Sequence, residues 1–148
     1  MELLHYSAEP ITALHSILDQ PAGLKPAGFW VSVGDDWSKW CQRENYLLNQ
    51  SYVYRVGLKE WKRILWIKSV DELDTFAEQH TVWNHRFGDN VNWSAVADRY
   101  AGIIIAPYRR ERRRNLFWYY AWDCASGCIW DASVISKLTL DQERSILS

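Results

Sequence analysis

Gly28-Phe29-Trp30-Val31-Ser32-Val33-Gly34-Asp35-Asp36-Trp37-Ser38-Lys39-Trp40-Cys41 reads as a strand that turns directly into a helix. Phe29 to Val33 is dense in the aromatic and β-branched residues that suit a pleated, half-buried surface. Gly34-Asp35-Asp36 then supplies a turn and an N-cap-rich start. Trp37, Trp40 and Cys41 recur at helical spacing, so a helix is predicted to run to about Asn45. The polar Ser32 sits inside an otherwise apolar strand, and a loop punctuated by Pro21, Gly23, Pro26 and Gly28 leads into it.

Toward the N-terminus, Leu3 to Tyr6 is a short strand ending in His5-Tyr6-Ser7, again polar residues in an apolar frame, and Thr12 to Leu18 has the pattern of a helical turn. Toward the C-terminus, Ser51 to Leu58 and Arg63 to Lys68 are strands. Ser69-Val70-Asp71-Glu72 is a capping-box pattern opening a helix whose Leu73, Phe76 and Ala77 share one face. Asn84 to Asn92 reads as a polar loop, and Asn92 caps a helix from Trp93 to Arg99. Gly102-Ile103-Ile104-Ile105-Ala106 is apolar throughout, which predicts a strand inside its sheet. Leu116 to Trp122 and Cys128 to Val134 are predicted to close the chain as strands. About seven short strands and about three helices, two of them adjacent in mid-chain, make an α+β fold rather than an alternating one. The whole of residues 1–148 is expected to form one domain.

Composition narrows the function classes. The 148 residues are 48% hydrophobic and include ten Trp, eight Tyr and four Phe against a single Met. Such a chain is neither collagen-like nor low in complexity, and much of its core must be ring packing. No apolar run approaches the roughly 20 residues of a membrane helix. Met1-Glu2-Leu3-Leu4-His5 lacks the basic and apolar regions of a secretory signal. Three cysteines, Cys41, Cys124 and Cys128, are too few for a disulfide framework, so buried thiols and a cytoplasmic location are expected. Cys124-x3-Cys128 lacks the partners of a closed zinc set, and no metal is expected. Arg109, Arg110, Arg112, Arg113 and Arg114 with Glu111 carry +4, while the chain totals −1, so the remainder is acidic. That asymmetry points to an anionic partner.

His5-x-Ser7 on the first strand, Gly28-Phe29-Trp30-Val31-Ser32 on the second, and Ser38-Lys39-Trp40-Cys41 on the following helix resemble the opening motifs of the ADP-ribosyltransferase superfamily of the diphtheria-toxin and poly(ADP-ribose) polymerase type. Tyr100-Ala101-Gly102-Ile103-Ile104 is similar to its mid-chain hydrophobic strand, and Ser126-Gly127-Cys128-Ile129-Trp130-Asp131 to its last motif strand. The resemblance covers most of the chain in the family's order. It implies split antiparallel sheets, NAD as substrate, release of nicotinamide, and transfer of ADP-ribose to a macromolecular acceptor, protein or nucleic acid. It further implies that His5 hydrogen-bonds the adenosine-side ribose with Ser7 near the same cleft, and that Asp131 is the strand-end structural Asp. Where well-known members carry a catalytic Glu, this chain has Ser126. Asp123, three residues earlier, is then the candidate acid, with Ser126 and His5 beside it. Chain-forming polymer activity is not expected, because the Glu associated with it is missing.

Elementary chemistry gives these residues the same task. Nicotinamide needs a flat slot, and Trp30 and Trp40, with Ser32 nearby, are candidate walls. As nicotinamide departs, the ribose it leaves becomes cationic, which favours electron-rich rings nearby. A carboxylate stabilises that cation, whereas a serine only holds a hydroxyl. Each assignment has a structural alternative: Trp30 and Trp40 as core, His5 as a satisfied core histidine, Asp123 as the cap of the Ala125-Ser126-Gly127 turn. The arginine segment is either a clamp for the NAD pyrophosphate or a nucleic-acid target, or else a solvated loop. Beyond the transferase reading stand two others: a binding module of the same fold holding NAD or an ADP-ribosyl group without turnover, and a nucleic-acid binder acting through arginines and exposed rings.

Overall fold

The computed structural model describes residues 1–46, 50–85 and 88–146. Along the chain run β1 (Leu3–Ser7), β2 (Phe29–Val33), α1 (Asp36–Arg43), β3 (Tyr52–Leu58), β4 (Ile64–Ile67), α2 (Val70–His80), β5 (Thr81–Asn84), β6 (Gly88–Val91), α3 (Trp93–Ala97), β7 (Gly102–Ile105), β8 (Ser126–Ile129) and β9 (Ile135–Leu140). One seven-stranded sheet has the order β4-β7-β8-β2-β1-β3-β9, and β5 and β6 make a separate hairpin. All its ladders are antiparallel except the β4–β7 pair. The fold is α+β, with three α-helices among the described residues.

The feature that positions the site is a fork in this sheet. β1 and β2 pair only at Leu3↔Val33 and Leu4↔Ser32. Beyond that point β1 stays with β3 as far as Ser7↔Tyr52, while β2 stays with β8 as far as Phe29↔Ile129. The four strands singled out in the sequence, β7, β8, β2 and β1, lie side by side in that order.

Both faces of the sheet are covered, which explains the unbroken apolar run of β7. Ile103 and Ile105 pack into a core with Leu73 and Phe76 of α2, Trp93 and Val96 of α3, and Trp118 and Trp130. Ile104, between them, points the other way, into a core with Leu3, Val31, Val56 and Ile129. Close approach of backbone also limits side chains here: a Cβ on Gly127 would lie 2.5 Å from the carbonyl oxygen of Ile103.

The helix starts follow the sequence in two of three cases. The Ser69 hydroxyl accepts from the Glu72 amide at 3.1 Å and meets the Glu72 carboxylate at 3.0 Å. Asn92 accepts from the Ala95 amide at 3.3 Å. Asp35, the residue before α1, makes no such bond and instead pairs with Lys39 at 3.3 Å. Ser69→Ala is therefore expected to lower stability by about 1 kcal/mol, read as a shift of the urea midpoint with unchanged slope.

Several expectations need correction. Leu116 to Trp122 is not a strand: Trp118–Ala121 is a 3-10 turn. Its buried residues, Trp118, Tyr119 and Trp122, are spaced as on a helix, while Phe117 and Tyr120 face outward. The last motif strand stops at Ile129 and gives way to a 3-10 turn, Ala132–Val134, with Asp131 accepting from the Ser133 amide at 3.1 Å. Asp131 also pairs with Arg63, which agrees with its structural assignment. Residues 12–18 form no regular element. The segment read as a polar loop holds the last residue of β5 and the whole of β6; within it, residues 86 and 87 lie outside the described set. β9, pairing with β3, went unpredicted. All three cysteines are free and buried. No helix is long and apolar enough to cross a membrane, among the described residues.

Candidate functional site

The fork opens a cleft of about 270 Å³. Its lining comes from β1 (Leu4, His5, Tyr6), from β2 (Trp30, Val31, Ser32), from Trp37 of α1, and from Trp122 to Cys124 with Ser126 at the start of β8. Lys25 and Gln50 complete it. Of the residues picked from sequence, His5, Trp30, Ser32, Asp123 and Ser126 therefore meet around one space.

His5 stands at the fork. Its Nδ1 lies 2.6 Å from the carbonyl oxygen of Trp30, which only accepts, so Nδ1 carries the hydrogen. The imidazole thus replaces a missing rung between the parting strands and keeps Nε2 as an acceptor. Its ring stacks on Phe29 at 3.9 Å. Burial pushes its pKa below the usual imidazole value, against the opposing pull of the Trp30 carbonyl, so His5 is neutral at pH 7.

Asp123 follows the 3-10 turn that ends at Ala121. The alternative that it caps the next turn is not what the structure builds. The Ala125 amide donates instead to Asp36 Oδ2 at 3.2 Å, and the Ser126 hydroxyl donates to the Cys124 carbonyl at 3.0 Å. No hydrogen bond ties the Asp123 carboxylate to a described residue. Burial pushes its pKa above the usual carboxylate value, while Lys25 and Arg113 pull it down and Glu44 adds to the rise. Beside it the Cys124 thiol is pushed up to about 12, mainly by burial, and is protonated at neutral pH.

The aromatic wall differs from the expected one. Trp30 lines the cleft and meets the edge of Trp122 with ring centres 5.1 Å apart. Its α1 partner is Trp37, not Trp40. Trp40 stacks behind Trp37 at 5.2 Å, with the planes 9° apart. Positions 37 and 40 share a helix face, so spacing alone could not choose between them; the direction in which α1 leaves β2 does. That direction is held by Ser32, whose hydroxyl accepts from the Trp37 amide and donates to the Gly34 carbonyl, both at 3.1 Å. Ser32 is thereby a positioning residue for Trp37 rather than a free ligand group.

Ser7 lies outside the cleft lining, its hydroxyl donating to the Glu9 carbonyl at 2.5 Å. None of the five arginines lines the cleft either. Arg112 grips Asp74 of α2 with two bonds, at 2.8 and 3.0 Å, and Arg109 donates to the Lys68 carbonyl. Arg113 lies over the ring of Tyr120 at 4.9 Å. Arg110 and Arg114 have no ion pair among the described residues.

Tyr6, Lys25, Gln50 and Trp122 were missed by sequence reasoning. Tyr6 neighbours His5 and was already in view. Lys25, set in a Pro/Gly loop, carries no local pattern that marks it. Among the described residues no group of three or more His, Cys, Asp or Glu is placed to hold a metal ion. Chemically, the cleft offers a neutral imidazole acceptor, a flat indole wall, one cation and one unengaged carboxylate. No family model, no curated protein and no solved structure matches the chain.

Proposed function

We propose that the cleft binds NAD, releases nicotinamide and transfers ADP-ribose to a macromolecular acceptor, on an ADP-ribosyltransferase-like split-sheet scaffold. The observation that carries the reading is the convergence of His5, Trp30, Asp123 and Ser126 on one cleft at the fork between β1 and β2. The adjacency of all four motif strands in the sheet supports it as well.

The roles follow from the groups present. Trp30 and Trp37 flank the nicotinamide, and His5 Nε2 accepts from a ribose hydroxyl. The glycosidic carbon–nitrogen bond breaks with its electron pair leaving on nicotinamide, and the ribose C1′ becomes cationic. The Asp123 carboxylate faces that charge. Ser126, whose hydrogen is given to the Cys124 carbonyl, accepts from the ribose hydroxyl. An acceptor nucleophile then bonds to C1′, and its proton passes to Asp123 or water.

Chromatography of NAD incubated with the purified protein should show free nicotinamide together with ADP-ribose bound to a macromolecule; absence of both overturns the reading. Ser126 in the place of a carboxylate favours a second reading, a binding module without turnover. In that case NAD or ADP-ribose quenches Trp fluorescence and no nicotinamide appears.

The corrected wall makes a separate expectation. Trp37→Ala should weaken NAD binding about 10-fold by titration calorimetry, because one flat face of the slot is lost. Trp40→Ala should cost less, since that ring only backs Trp37. Equal losses, or a larger loss at Trp40, would restore Trp40 as the wall.

A further inference from the structure

Resting on the reading that the cleft transfers ADP-ribose, the arginine segment defines the class of acceptor. The segment is fastened as a unit beside the cleft. Tyr108 Oη donates to the Trp122 carbonyl at 2.7 Å, and Tyr119 Oη accepts from the Arg109 amide at 2.9 Å. Arg109 and Arg112 are spent on these internal ties, to Lys68 and Asp74. Arg110 and Arg114 are exposed and Arg113 is half-buried, none of them held by an ion pair among the described residues. Arg113 lies over Tyr120, and its Nε is buried without a hydrogen-bond partner among the described residues. Just after these cations in the chain stand two large exposed rings, Phe117 at 55% and Tyr120 at 56%.

Two features decide what such a surface takes. The cations are guanidinium groups with planar donor forks that suit phosphate oxygens, on a chain otherwise net negative. None of them lines the cleft, where Lys25 is the cation, so the phosphates they meet lie outside the NAD site. The adjoining rings then require something flat beside those phosphates. Bases of a duplex are already stacked on one another; those of a single strand are open to Phe117 and Tyr120. The bond from Tyr108 to Trp122, a residue of the cleft lining, sets this surface beside the reaction site. We propose that the acceptor is single-stranded nucleic acid, held by Arg110, Arg113 and Arg114 through its phosphates and by Phe117 and Tyr120 through its bases.

The test needs no turnover. Fluorescein-labelled oligouridylate and oligothymidylate of about 12 nucleotides, longer than one small binding site, are titrated with the full chain and followed by anisotropy across a salt series. The combined variant Arg110→Gln, Arg113→Gln, Arg114→Gln keeps the two internal ties. It should bind about 100-fold more weakly at 0.1 M salt and flatten the slope of log affinity against log salt by about 2. The pair Phe117→Ala, Tyr120→Ala should weaken binding about 10-fold per ring with the slope unchanged. Far-ultraviolet circular dichroism of each variant should match the wild type, since Arg110, Arg114, Phe117 and Tyr120 are exposed and Arg113 is half-buried at the edge of the fold. No binding by the wild-type chain, or curves that the arginine variant leaves unmoved, overturns the proposal even where nicotinamide is released. ADP-ribose found on a protein with oligonucleotide binding absent overturns it too, while leaving the transferase reading intact.

Discussion

Asp123→Asn should lower nicotinamide release from NAD by about 100- to 1000-fold, the scale on which removing one preorganised electrostatic partner of a transition state is felt. NAD affinity should change little, because the carboxylate faces a charge that appears only as the bond breaks. Ser126→Ala, which removes one hydrogen bond from ribose, should cost only about 5-fold. The pH dependence adds an independent reading. In the proposed reaction Asp123 would act as its anion; burial holds its pKa above the usual carboxylate value, so the acid limb of the rate profile should lie higher than an ordinary aspartate predicts. Stability runs the opposite way. A carboxyl whose folded pKa is raised stabilises the fold while it stays protonated, below its ordinary pKa. That contribution is lost as pH rises through the folded value. At pH 7 the Asn variant should therefore be at least as stable as the wild type, and lost activity cannot be put down to unfolding. Wild-type release rates in the variant would remove Asp123 from the reaction.

Trp130→Ala should be the most damaging single change to stability. Trp130 is fully buried against Trp93, with ring centres 6.4 Å apart. Its indole nitrogen donates to the Tyr100 carbonyl at 2.7 Å, while its own carbonyl accepts from the Ile17 amide at 2.7 Å. Truncation leaves a large cavity and an unpartnered carbonyl, a loss of about 3–5 kcal/mol. In a chain of this length that lowers Tm by about 10–15 °C, readable by calorimetry. Trp130→Phe should recover much of the packing but not the bond to Tyr100. A shift of only a degree or two for the Ala variant would mean that the core closes over the gap.

What the sequence made legible was whatever is set by local periodicity. The apolar β7, the strand-to-helix passage at residues 29–43, and the Ser69 and Asn92 caps are all dictated by neighbours within a few positions. The misreading of Trp118–Ala121 has the opposite cause. Its rings have high strand propensity, but burial alternates there with the period of a turn, and packing overrode propensity. β9 was hidden because its ladder with β3 shifts register between Gly57 and Leu58, so its burial does not alternate cleanly. At the site, His5, Trp30, Asp123 and Ser126 stood out by residue type and position, and they line one cleft. The choice of Trp37 over Trp40 was not, because it depends on how Ser32 fixes the exit of a helix. Nor was the bond between Asp36 and Ala125, which joins residues 89 positions apart.

The fork between β1 and β2 sets how this cleft recognises anything. Two of its walls are strands paired on their outer sides with β3 and β8, so those walls move only together with their ladders, while Lys25, Gln50 and Trp122 to Cys124 close the cleft from outside the strands. Little conformational entropy is then left for a ligand to quench on arrival, and affinity comes from fit to a slot that is already shaped. The cost falls on tolerance: a ring system thicker than the gap is admitted only where the wall outside the strands, at Lys25, Gln50 and Asp123, gives way. On the proposed function, a preference for flat ligands would rest on the β-sheet side of this cleft.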